Sequence, residues 1–86
     1  VHQDLQLPSE FNDQTYLSAQ LTSALVTLCA AFDIQLVEMS MARDGALRVC
    51  ILPNAYKVPV TIEALTAGSL WDAVVRLAGQ IRGVYA

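Results

Sequence analysis

Side chains able to do chemistry are few in this chain, and they are widely separated. His2 is the single histidine and lies in the polar lead-in. Cys29 and Cys50 are the two cysteines, each in apolar surroundings. A zinc site takes four close-set ligands, and a thiol redox pair reads Cys-x-x-Cys. Neither pattern is present. The nearest polar constellation is Glu38, Ser40 and Arg48. A serine nucleophile needs a base within hydrogen-bond reach, and none stands beside Ser40 in sequence. A Glu38–Arg48 diagonal on an exposed sheet face is an ordinary surface pair, worth about 0.2–1 kcal/mol. Gly45 reads as a turn residue, Gly68 precedes a helix cap and Gly79 interrupts a helix, so no glycine-rich phosphate loop exists. The expectation is a protein that is not an enzyme, with no catalytic residue, no metal and no cofactor.

The elements that would hold these side chains can be read from periodicity. The clearest is a β-hairpin over residues 34–53. Arg43-Asp44-Gly45 forms its three-residue loop, closed by Gly45 in the left-handed region. In that register opposed residues have numbers that sum to 88. Met41 faces Leu47, Met39 faces Val49 and Val37 faces Ile51 on the buried side. Ser40 faces Arg48, Glu38 faces Cys50 and Leu36 faces Leu52 on the other side. A one-residue slip would send every side chain to the wrong face, and that favours the three-residue loop over a two-residue Asp-Gly loop.

Before the hairpin, residues 13–32 carry apolar positions Leu17, Leu21, Leu25, Leu28 and Phe32 at helical spacing. Asn12 or Asp13 is the expected cap. Tyr16, Ala19, Val26 and Ala30 form a second apolar flank, suited to another helix or to a partner. After the hairpin, residues 56–62 alternate as a third strand, and Pro59 confines it to an edge. Ser69-Leu70-Trp71-Asp72 opens a second helix with the stripe Leu70, Val74, Leu77, Ala78 and Ile81. Gly83 ends it, with Arg82 near the negative end of its dipole. The fold class is α+β in the order α-β-β-β-α: a three-stranded antiparallel sheet with two helices packed on one face. Residues 1–11 read as an N-terminal arm, in which Leu5 and Leu7 could add a short edge strand. Residues 12–86 read as one domain.

This order resembles that of the double-stranded-RNA-binding domain, and the resemblance covers element order alone. That family holds phosphates with lysines at the start of its second helix. The corresponding Ser69 to Val74 contain no base, and Lys57 stands alone on the third-strand side. The net charge is −3, and the five Lys and Arg form no basic stripe. Nucleic acid is therefore not an expected partner. No apolar run reaches the length of a membrane helix, and the N-terminus, which begins at Val1, has no basic region followed by an apolar core. Two isolated cysteines point to unlinked thiols and a cytoplasmic location.

Hydrophobic residues make up 55% of the 86 residues and charged residues 15%. A typical soluble domain is about 25% charged, so apolar surface should remain after folding and mark a contact site. The sequence therefore points to a small protein–protein interaction module of adaptor, chaperone-like or inhibitor type, an accessory protein that pairs with a protein partner or with itself as a homodimer. The expected contact residues are Ile34, Leu36 and Leu52 on the outer sheet face, with Trp71, Val75 and Arg82 on an outward helix face as a second anchor. The alternative is a small-molecule binder with an apolar cavity between helices and sheet, lined by Met39, Met41, Val49, Trp71 and Val74.

Overall fold

The computed structural model describes residues 7–54 and 56–82, the last two by backbone alone. Its elements are α1 (Ala19–Ala31), β1 (Ile34–Met41), β2 (Leu47–Pro53), β3 (Val60–Ala64) and α2 (Ala67–Arg82), preceded by a 3-10 turn at Ser9–Phe11. The strands form one antiparallel sheet in the order β1-β2-β3. This is the expected α+β architecture. Leu5, His2 and Gly83 lie outside the described residues, as do the side chains of Ile81 and Arg82.

The hairpin closes as its loop chemistry demands. Gly45 has φ +90°. Its N–H donates to Ala42 O at 3.0 Å, and the Ala42 N–H donates to Ala46 O at 2.8 Å. The Asp44 carboxylate accepts from the Ala46 N–H at 3.1 Å, which steadies the loop. From the loop down, Met41, Ser40, Met39 and Glu38 stand opposite Leu47, Arg48, Val49 and Cys50. Below that point the expected register fails. The ladder shifts between Leu36 and Glu38, so that Leu36 faces Ile51, Gln35 faces Leu52 and Ile34 faces Pro53. Val37 is the extra residue of a β-bulge. It is 48% exposed instead of packing on Ile51.

The parity change rearranges the core. β2 alternates without interruption, with Leu47, Val49, Ile51 and Pro53 buried. Leu21, Leu25, Leu28 and Cys29 of α1 and Leu70, Trp71, Val74 and Ala78 of α2 pack over it. Ile34 and Leu36 join this core from β1, because the bulge turns them inward. Leu7, ahead of the 3-10 turn, also rests against the core. No helix among the described residues is long and apolar enough to cross a membrane.

Three element boundaries differ from expectation. α1 starts at Ala19, six residues later than its periodicity suggested, because Ser18 caps it: the Ser18 hydroxyl accepts from the Leu21 N–H at 3.1 Å. β3 spans 60–64, so Tyr56, Lys57, Val58 and Pro59 form an irregular lead-in and Lys57 does not join the outer face. α2 opens at Ala67 with Thr66 before it, whose Oγ1 accepts from the Ser69 N–H at 3.3 Å. Two further N–H groups of its first turn are taken by the N-terminal segment. Ala67 N–H donates to Gln14 O at 2.8 Å and Gly68 N–H to Asn12 O at 3.1 Å. Orphan donors at a helix start need such partners.

Candidate functional site

The expected outer-face patch does not form. Ile34 is 5% exposed within the core, and Leu36 packs against that core from β1. Leu52 alone of the three keeps its place on the other face, opposite Gln35. The cause is the Val37 bulge, which reverses which side of β1 faces the helices. Trp71 is also inward, 6% exposed in the core, and Val75 packs against the same cluster. They do not make an outward anchor. The bulkiest side chain of α2 serves the interior because it faces the same side as Val74 and Ala78.

The residues expected to line a cavity are dispersed as well. Val49 and Val74 are wholly buried in the packed core, Met39 is half-buried beside it and Met41 is exposed. The polar constellation on the sheet is re-paired. Arg48 Nε donates to Glu63 Oε2 at 2.9 Å across β2 and β3, both side chains being about half exposed. Arg48 and Glu63 are direct cross-strand neighbours, a partner invisible until β3 was in register. Such an exposed pair contributes at most about 1 kcal/mol. No cluster of metal-ligating side chains occurs among the described residues.

Both cysteines are unlinked. Cys29 sits in α1 within the core, and burial pushes its thiol up from 9.0 to about 11. A neutral thiol is a poor nucleophile, since the thiolate is the reactive form. Cys50 lies half-buried on the face away from the helices, opposite Glu38 and Thr61.

What the structure does bring together lies at the two sides of α1. Its inner side is core. Its outer side carries Ala19, Gln20, Ser23, Val26, Thr27 and Ala30, all exposed, and the whole helix contains no charged residue. Thr22 and Thr27 hydroxyls donate back to the carbonyls of Ser18 and Ser23, at 2.9 and 3.0 Å, which occupies their donors. Its C-terminal end opens on a hollow of about 420 Å³ bordered by Asp33, Gln35, Asn54 and Tyr56, with Ile34 and Pro53 among its apolar lining. The sequence marks the first as the flank of Tyr16, Ala19, Val26 and Ala30, suited to another helix or to a partner; it does not mark the hollow. The run without charge over residues 19–31 was the available signal for the first. The hollow depends on where β2 ends and has no sequence signal.

No family model matches the chain, and comparisons with curated proteins and with solved structures return no match.

Proposed function

We propose that this chain is a non-catalytic protein-binding module that works by pairing with a second copy of itself. The observation that carries the reading is the outer side of α1. A surface helix normally puts charged or polar side chains toward water, and a helix apolar all round belongs in an interior. α1 has Leu21, Leu25, Leu28 and Cys29 inward, and outward it has Val26 at 47% exposure among small, uncharged residues. α2, by contrast, turns Asp72 and Arg76 to solvent. Two copies of α1 set face to face about a two-fold would each supply the missing cover, and two-fold pairing is the commonest oligomeric arrangement. Small residues such as Ala19, Ser23 and Ala30 allow close helix approach. The unlinked cysteines fit a reducing cytoplasmic setting, and an accessory role of adaptor, chaperone-like or inhibitor type follows from a domain that binds without reacting.

Light scattering at tens of micromolar tests this. The expected mass is twice the 9.3 kDa of one chain. Val26→Glu should give folded monomer, because it sets a charge in a dry contact, while Arg76→Glu on α2 should leave the dimer intact. A wild-type monomer, or a dimer indifferent to Val26→Glu, overturns the proposal.

A further inference from the structure

The C-terminal end of α1 breaks two local rules at one residue. The position after the cap takes the left-handed conformation, where glycine or asparagine is the usual occupant. Here it is Asp33, with φ +61°. A helix C-terminus carries partial negative charge and favours Lys, Arg or His nearby. The last turn of α1 has no basic residue, and Asp33 adds a full negative charge at that point. The backbone there is well held: Phe32 N–H donates to Cys29 O at 3.1 Å, Asp33 N–H to Ala30 O at 3.2 Å and Asn54 N–H to Asp33 O at 3.3 Å. A conformation and a charge that both work against stability tend to persist where they serve a site.

Asp33 borders the hollow described above, where it is the single charged residue among the described residues of the lining. Gln35, Asn54 and Tyr56 line it with Asp33, and Ile34 and Pro53 supply apolar surface. A carboxylate, a helix C-terminus, neutral hydrogen-bonding groups and an apolar wall are the complement of a cation on an alkyl stem. Amide oxygens and a phenol oxygen accept from N–H groups, while the alkyl stem covers the apolar wall. We infer that this hollow binds a guanidinium or alkylammonium group, presented either by a small organic cation or by an Arg or Lys side chain of another protein.

The test is a heteronuclear NMR titration of the full chain at low salt, where surface attraction is least screened. The probes are methylguanidinium, butylammonium and an unstructured peptide with one internal arginine. Asp33→Asn is the informative variant, since asparagine tolerates the left-handed backbone and removes only the charge. The expected result is saturable amide shifts confined to residues 30–35 and 52–56, with affinity at least ten-fold weaker in Asp33→Asn. Asp72→Asn, on the back of α2, should change nothing. A peptide more than ten-fold tighter than methylguanidinium assigns the group to a partner chain, and equal affinity assigns it to a free small cation. Shifts spread over the acidic surface, or undiminished in Asp33→Asn, overturn the inference.

Discussion

Leu36 stands directly opposite Ile51, and both side chains enter the core. The neighbouring Val37 is pushed out to solvent by the bulge. Two adjacent apolar residues on one strand therefore have opposite fates. Leu36→Ala should cost about 2 kcal/mol, within the range for truncating a packed leucine. Val37→Ala should cost less than about 1 kcal/mol, as a partly exposed strand position. Urea unfolding midpoints at constant slope would measure both. Equal losses, or a larger one at Val37, would show that the bulge is misplaced.

Among the described residues two positions have positive φ, one glycine and one not. Gly45→Val should destabilise by about 1–2 kcal/mol, because a β-branched side chain resists that backbone. Asp33→Gly should act the other way. It supplies the permissive residue and removes a negative charge from the wrong end of α1, for a gain of about 0.5–1 kcal/mol. Thermal unfolding of the two variants should therefore move the midpoint in opposite directions.

Gly68 occupies the second position of α2, where alanine is normally the better helix former by about 1 kcal/mol. A Cβ there would lie 3.0 Å from the Asn12 carbonyl oxygen and 3.2 Å from its Cα, both backbone atoms. Gly68→Ala should therefore destabilise the fold rather than stabilise it, by weakening the bond from Gly68 N–H to Asn12 O. Amide exchange would reveal the change as faster exchange at Ala67 and residue 68.

The Cys29 thiol makes stability pH-dependent on the alkaline side. Its folded-state pKa is about 11 against an ordinary 9.0, through burial. The neutral form is the one the fold accommodates, so its contribution is complete below pH 9 and falls as pH rises from about 9 to 11. Wild type should lose more stability than Cys29→Ala over that interval in urea unfolding. Native Cys29 should also resist iodoacetamide at neutral pH far better than Cys50.

The residues that could be read without coordinates were those whose local chemistry admits one solution. Arg43-Asp44-Gly45 dictated the hairpin loop, and with it the pairs from Met41–Leu47 to Glu38–Cys50. The uninterrupted alternation of Leu47, Val49, Ile51 and Pro53 marked a strand with one buried face. The bulge left a trace too. Apolar residues of β1 fall at 34, 36, 37, 39 and 41, and the adjacent pair Leu36–Val37 marks a parity change that strict alternation overlooks.

The start of α1 depended on which of several capable residues caps it, and Ser18 prevails over Asn12 and Asp13 because the segment before it turns to bind α2. Pairing with β2 put the start of β3 at Val60, four residues beyond the expected Tyr56. Arg48 found Glu63 only through that same register. Trp71 could point in or out until α2 was rotated against the sheet, and packing with Val74 and Ala78 turned it inward. Composition determined that this chain is short of charge for its surface. Tertiary structure decided which side of α1 faces outward, because only burial of Leu21, Leu25, Leu28 and Cys29 shows that its other, uncharged side is exposed among the described residues.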